Sequence, residues 1–318
     1  METSARVVII GGGIIGCSVL YHLAKNGWTD VVLLERQELT SGSSWHAAGG
    51  LFNVTRPNSV AGIHKYTFEA YREIELESGQ SCGFHHTGGL NICRTKEELT
   101  NNAMMQSACR RLGIESHFIS LNEVKERAPI LDTSHILGAL WEENGGHVDP
   151  ASATQAFGIA AKKLGAKIYR HTPVVSTKQL VDGSWEVETR NGRIHSEVIV
   201  NAAGLWGREV GKLAGIKLPL LPVEHHYLVT ENIPVIENLD FELPQINDNE
   251  TGSYARQEGM GMLLGAYEKN CVHWAKEGTP ENFGHELLPN DLDRIEWNFE
   301  KSVAVSYTHL TLPTTRCV

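Results

Sequence analysis

The sequence lacks the cysteine pairing that a disulfide or zinc scaffold requires. Its six cysteines, at 17, 82, 93, 109, 271 and 317, form no C-x-x-C pair and no zinc spacing. No metal is therefore expected. A basic region ahead of the first apolar run is also missing, which argues against a secretory signal. The cysteines then read as reduced thiols of a cytosolic protein. Positive charge is scarce: 28 Lys+Arg against 38 Asp+Glu leave a formal charge of −10. Nucleic acid is accordingly excluded as the main partner, since phosphate binding needs a basic surface. The one long apolar stretch, Val7 to Ala24, is broken by Gly11, Gly12, Gly13 and Gly16 and carries Tyr21 and His22. Insertion into a membrane is not expected from such a run. The Trp and Phe residues are scattered with no stacking array, and neither an internal repeat nor a low-complexity linker is present. What remains is an ordinary globular composition, 41% hydrophobic over 318 residues, enough for one large domain or two interleaved ones.

The pattern along the chain begins with Arg6 to Ile10, a wholly apolar run of the kind buried on both faces of a parallel sheet. A glycine turn, a helical pattern from Ile14 to Asn26 and a second buried strand, Val31 to Leu34, complete a β-α-β unit. Residues 40–50 form a loop of small residues, and helical patterns follow near 59–78, 96–112 and 121–127. Asp149-Pro150 reads as a helix start: the carboxylate caps free N–H groups and proline is pre-set for the first turn. That helix runs to about Leu164. Strand-like segments follow at 167–170, 184–189 and 193–200, and from 219 onward the pattern is that of an antiparallel sheet, with strands near 224–230 and 261–267. The expected fold is α/β (α+β), a Rossmann-like domain with a parallel sheet interleaved with an antiparallel-sheet substrate domain. The expected boundaries are 1–80 and 145–218 for the first, 81–144 and 219–304 for the second. The ending, VSYTHLTLPTTRCV, matches nothing before it, and residues 305–318 are expected to be a foreign tail.

Gly11-x-Gly13-x-x-Gly16 lies between the first strand and helix, with Glu35 ending the second strand. Gly11 permits the tight turn, Gly13 lets backbone approach a pyrophosphate, and Gly16 lets helix and strand pack closely. The pyrophosphate sits at the helix N-terminus, and Glu35 accepts from ribose hydroxyls. The motif alone does not separate FAD from NAD. Its place near residue 10, with a second apolar strand ending in small residues (VIVNAAG, 198–204), favours FAD.

The string ERQELTSGSSWHAAGG (35–50) after the second strand resembles the dimethylglycine dehydrogenase and sarcosine dehydrogenase family, within the wider D-amino-acid-oxidase-like flavoproteins. The resemblance runs from residue 6 to about 304 and includes GHVDP (146–150), VNAAGLWGREVG (200–211), PLLPVEHHYLVTE (219–231), YARQEG (254–259), LLGAYE (263–268) and DLDRIE (291–296). It implies that Ile14, Ile15, Glu35, Arg36, Gly42, Ser43, Ser44, Trp45, His46, Ala47, Ala48, Gly49, Gly50, Val174 and Trp206 line the FAD. His46 is the position at which the family bonds its flavin covalently, and the backbone of Val174 is expected to face the adenine.

The implied chemistry is oxidative N-demethylation of a small N-methyl amino acid by hydride transfer to flavin. A guanidinium would suit the substrate carboxylate; Arg56 and Arg256 are the candidates, while His225 and Tyr227 would orient or desolvate the amine. His226 and the stretch GGLFNVTRPNS depart from the family pattern, so dimethylglycine, sarcosine and a related betaine-derived amine all stay open. The family also implies an electron acceptor such as an electron-transfer flavoprotein. A returning flavin strand and a tetrahydrofolate-binding domain are expected beyond this chain, which is therefore expected to fold poorly and turn over little by itself. The expected location is the cytoplasm, or the mitochondrial matrix in a eukaryote. Three alternatives stand beside this reading: an oxidase using oxygen, a nicotinamide-linked dehydrogenase, and a non-catalytic relative similar to the regulatory subunit of pyruvate dehydrogenase phosphatase.

Overall fold

The computed structural model describes residues 1–306, with side chains through 302. The expected foreign tail lies outside the described residues, apart from the last two positions of the closing helix. The chain opens with β1 (Ser4–Ile10), α1 (Ile14–Lys25) and β2 (Val31–Leu34). Val7 to Ile10 and all four residues of β2 are buried, as strands covered on both faces must be. There follow α2 (Ser43–His46), β3 (Gly50–Leu51), α3 (Asn58–Ser78) and β4 (Gly89–Cys93). Next come α4 (Lys96–Arg110), β5 (Ser116–Ile119), α5 (Leu121–Arg127), β6 (Gly138–Glu142) and β7 (Gly146–His147). Both α4 and α5 start on capping boxes, Thr95 with Glu98 and Ser120 with Glu123, which satisfy free N–H groups reciprocally. At α6 (Pro150–Lys163) the Asp149 carboxylate accepts from the Ser152 N–H at 2.6 Å with proline in the first turn.

After α6 the chain forms β8 (Lys167–Tyr169), β9 (Val174–Gln179), β10 (Trp185–Thr189), β11 (Gly192–Asn201) and α7 (Gly207–Leu213). It then forms β12 (His226–Val229), α8 (Pro234–Glu237), β13 (Gln245–Asp248), β14 (Ser253–Glu258), β15 (Gly261–Ala266) and α9 (Glu296–Ser306). Two large sheets result. The first runs β8-β2-β1-β11-β10-β9 and is parallel from β8 to β11, with an antiparallel pair at its end. The second runs β12-β15-β14-β13-β4-β6-β5. It is antiparallel except where β13 lies parallel to β4, in register from Gln245 opposite Gly89. The pattern after 219 suggested antiparallel pairing only; the parallel pair arises because a strand from the first half of the chain is inserted beside a strand from the second.

α1 packs on α6 through Cys17, Leu20, Tyr21 and Ala24 against Ala153, Ala156, Phe157 and Ala160. Each fully buried large side chain here contributes about 1.5–3 kcal/mol, while the alanines of α6 let the helix axes approach. A separate core of Leu90, Ile92, Trp141, Leu228, Leu264 and Phe299 sits under the second sheet. The small β3–β7 ladder, Gly50 opposite His147 and Leu51 opposite Gly146, lies between the two sheets in sequence and carries the chain out of the loop that follows β2.

Candidate functional site

The first glycine of the turn after β1 is held at φ +116°, and a Cβ there would overlap the Ala202 carbonyl at the end of β11. Gly16, one turn into α1, is equally constrained, because its Cβ would overlap the Gly11 carbonyl oxygen. These two positions let strand ends and helix meet at main-chain distance. No acidic residue occupies the first turn of α1 and Gly13 offers no side-chain cap, so the dipole and free N–H groups there suit an anion. The Ser44 hydroxyl accepts from the Ile14 N–H at 2.9 Å, tying the loop after β2 to the helix start.

Glu35, at the end of β2, is buried. Its carboxylate accepts from the Gly12 and Gln37 amides, both at 2.7 Å. Burial raises its pKa, against the lowering by those amides and by Arg36. Each carboxylate oxygen has two acceptor directions, so Glu35 retains capacity toward the cleft that it lines. Arg36 stacks 3.6 Å over the Trp206 ring, whose indole N–H donates to the Pro280 carbonyl at 3.1 Å. Gly11 to Ile15, Glu35, Arg36, Ser44 and Ala202 to Trp206 line a chamber of about 360 Å³.

A second chamber, of about 450 Å³, shares Ser43, Ala47, Gly49, Gly50 and Leu205 with the first. The two therefore form one cleft along the loop 43–50. Its far wall is aromatic. His225 stacks on Tyr267 at 4.7 Å and on Tyr254 at 6.3 Å, and Tyr254 and Tyr267 lie 5.6 Å apart. Tyr254 fits because its cross-strand partner is Gly265, where a Cβ would overlap the ring. Burial lowers the His225 pKa, with Glu268 opposing and His226 adding to the shift. Burial likewise raises those of Tyr254 and Tyr267. Glu224, Gln245, Asn247 and Tyr227 add polar groups to the lining.

The ring of His46 stacks on Phe283 at 5.6 Å with the planes 8° apart. Its Nδ1 faces the Gly42 carbonyl at 2.6 Å and its Nε2 the Glu286 carbonyl at 2.9 Å. The stretch 280–286 lies across this loop as a strap. Gly284 accepts from the Gly42 N–H at 2.9 Å, and the carbonyls of Glu281 and Phe283 accept from Arg36.

Of the residues expected from sequence, the structure brings Gly11, Gly13, Ile14, Ile15, Glu35, Arg36, Ser43, Ser44, His46 to Gly50, Trp206, His225 and Tyr227 to the cleft lining. Gly16 and Gly42 lie behind it, and Trp45 packs edge-on against His46 and His285. Besides these, three more expected residues, Arg56, Arg256 and Val174, fall outside the lining. Arg56 is on the surface, donating to the Asn101 carbonyl at 3.3 Å. Arg256 is committed: its Nε donates to the Ala48 carbonyl at 2.7 Å, and one Nη meets the Glu258 carboxylate at 2.7 Å and the Gln257 carbonyl. It positions the loop instead of offering a free guanidinium. Val174 sits in β9, packed on the core beneath the first sheet. Sequence reasoning passed over Gln245, Asn247, Tyr254, Tyr267, Trp274, Phe283 and Leu288, all of which line the second chamber.

This cradle of main-chain approach, an acid-free helix start and a buried strand-end carboxylate agrees with a match of residues 6–306 to the family described as FAD dependent oxidoreductase. The chain belongs to that family. Among its members, the chain is 42% identical over 305 residues to mitochondrial dimethylglycine dehydrogenase of Rattus norvegicus, covering 94% of this chain and 36% of the relative. It is 36% identical over 310 residues to mitochondrial sarcosine dehydrogenase of Homo sapiens, covering 95% and 33%. The chain thus spans about a third of the length of these curated relatives. The crystal structure of L-proline dehydrogenase from P. horikoshii superposes with a TM-score of 0.80 at 25% identity, covering 96% of this chain and 78% of that one. Like this FAD dependent oxidoreductase chain, these relatives are named for redox reactions of amino acids. No helix among the described residues is long and apolar enough to cross a membrane.

The residues present fit FAD on two observations. Side chains at Gly11 and Gly16 would fill the backbone cradle, and the helix start facing it carries no competing acid.

Proposed function

We propose that this chain is the flavin- and substrate-binding part of an enzyme that oxidises a small N-methyl amino acid. The observation that carries the reading is the continuity of the two chambers along the loop 43–50, which sets the wall of His225, Tyr254 and Tyr267 beside a dinucleotide cradle. FAD, when bound, supplies the two-electron acceptor. It is held by the amides at the start of α1, by Glu35 at the ribose and by the loop 43–50, with His46 as the covalent tether.

The protein's own task is to position and deprotonate the amine. Aromatic faces attract a methylated ammonium by cation–π interaction, more strongly when water is excluded. A buried imidazole with a lowered pKa stays neutral and holds a proton only weakly, so His225 relays the ammonium proton to solvent and leaves the nitrogen lone pair free to assist hydride loss. With both expected arginines outside the lining, the substrate carboxylate meets neutral donors, the amides of Gln245 and Asn247 and the hydroxyl of Tyr227. Dimethylglycine and sarcosine, the substrates in the relatives' names, are the first compounds to try. Electrons then leave to a separate acceptor such as an electron-transfer flavoprotein. A mitochondrial location follows the relatives' names.

Anaerobic mixing of the flavin-loaded protein with sarcosine or dimethylglycine should bleach the oxidised flavin band; failure with every small N-methyl amino acid defeats the proposal. Fast return of the colour on admitting air would mark an oxidase. His46→Ala should release all flavin on acid precipitation, where the wild type keeps it. If both proteins retain flavin alike, the tether lies elsewhere.

A further inference from the structure

His85 and His147 face each other across an antiparallel bridge, each accepting the other's N–H at 2.8 and 3.0 Å. Directly opposed residues project to the same side, and the two imidazoles stack 4.6 Å apart with planes 10° from parallel. Glu242, on the approach to β13, reaches the same point. One of its oxygens lies 2.7 Å from Nδ1 of His85 and the other 3.4 Å from Nε2 of His147. None of the three lines either chamber of the flavin and substrate cleft.

We propose that His85, His147 and Glu242 form a binding site for a divalent transition metal of zinc type, with a fourth position open to solvent. Two imidazoles and a carboxylate make a donor set that zinc accepts, with an open position for water. In a tetrahedral site with bonds of about 2.0–2.1 Å, ligand atoms stand roughly 3.3 Å apart. The two carboxylate–imidazole separations bracket that value, and one ligand atom from each residue lies within 4.8 Å of the others. His85 is half exposed and Glu242 a third exposed, which leaves an entry path and room for the His85 ring to adjust. His147 is buried, and its Nδ1 has no protein partner among the described residues. Presenting the Nε2 lone pair to a metal places the ring proton on Nδ1, where a metal-bound imidazole ordinarily donates to an outer partner. Arg256 opposes a second cation here, but its charge is offset by Glu258 at 2.7 Å.

The competing arrangement is a carboxylate bridging two imidazoles without metal. Untagged, flavin-loaded protein stripped with chelator is titrated with zinc against a chromophoric competitor, and with cobalt while the visible d–d bands are followed. The wild type should bind one zinc per chain at micromolar concentration, show tetrahedral cobalt bands and unfold at a higher temperature with zinc. His85→Ala and Glu242→Gln, both at accessible positions, should fold, weaken zinc by on the order of tenfold or more, and lose the zinc-dependent rise in Tm. The chain has fifteen histidines, so the variants decide between this site and scattered surface binding. A wild type that holds no zinc, or variants that bind it as tightly as the wild type, overturns the assignment. Flavin content and amine oxidation do not enter the readout, so the result is independent of the proposed activity.

Discussion

Gly16→Ala is expected to give a protein that no longer retains flavin and unfolds well below the wild type. Ordinary overpacking of a core costs about 1–3 kcal/mol, because side chains can shift. Here the new methyl meets the Gly11 carbonyl, and Gly11 is itself pinned at φ +116° against the Ala202 backbone. Main chain must move at a point where β1, α1 and β11 converge, so the cost should reach about 3 kcal/mol or more, lowering Tm by roughly 5–10 °C. The same displacement spoils the approach that a pyrophosphate needs, and bound flavin should fall about tenfold or more. Flavin absorbance per mole of chain and a thermal melt test both halves. Wild-type flavin content with an unchanged Tm would show that the cradle is not used as drawn.

Glu142→Gln should remove a loss of stability that the wild type suffers on going from acid to neutral pH. Glu142 ends β6 only 1% exposed, with one oxygen accepting from the Asn53 and Val54 amides at 2.9 and 2.8 Å. Its other oxygen has no hydrogen-bond partner and fills the space where Gly89, the cross-strand neighbour, lacks a side chain. Burial pushes the carboxyl up to about 7 despite the two amides. Between the usual carboxylate range and that value the folded protein keeps a proton that the unfolded chain has released. Stability therefore falls as pH rises through this window, by about 3 kcal/mol once it is passed. Glutamine keeps the shape and one acceptor oxygen for both amides but never ionises. Urea unfolding at about pH 5 and pH 8 should show Glu142→Gln gaining on the wild type by about 2–2.5 kcal/mol, because the unfolded carboxyl is already largely ionised at the lower pH. His147 is present in both proteins, so its opposite dependence, a loss on acidification, cancels in the comparison. A difference that does not change with pH would mean that Glu142 is ionised throughout.

What could be read from the sequence was local. The β1-turn-α1-β2 unit and its terminal acid announce themselves because the glycines, the apolar runs and Glu35 lie within thirty residues and each obeys a steric or capping rule. Asp149-Pro150 is legible for the same reason. Arg256 shows the limit: its letter is that of a substrate-binding arginine, and only its bonds to Ala48 and Glu258 reveal a brace. Tyr254 and Tyr267 lay inside strings already noticed, yet nothing local says that both rings converge on His225. The stretch 274–288 has no period to read. The His85–His147–Glu242 group joins three distant segments through a bridge that no spacing rule anticipates, and the parallel β13–β4 pair is hidden in the same way.

The strap over the flavin loop makes its contacts mainly through main-chain oxygens. Pro280, Glu281, Phe283, Gly284 and Glu286 each offer a carbonyl to Trp206, Arg36, Gly42 or His46. Side chains enter at Phe283, whose ring lies on His46 and Trp274, at His285, which packs edge-on against Trp45, at Glu286, whose carboxylate accepts from the Gly284 N–H, and at Gly284, where a Cβ would meet Gln37. At the remaining positions the main chain makes the contacts, so there length matters more than composition. Exchanging Glu281 or Asn282 leaves every acceptor in place; deleting one residue moves all the carbonyls out of phase with their donors at once. Insertions and deletions, more than substitutions, are therefore the changes this part of the chain cannot absorb.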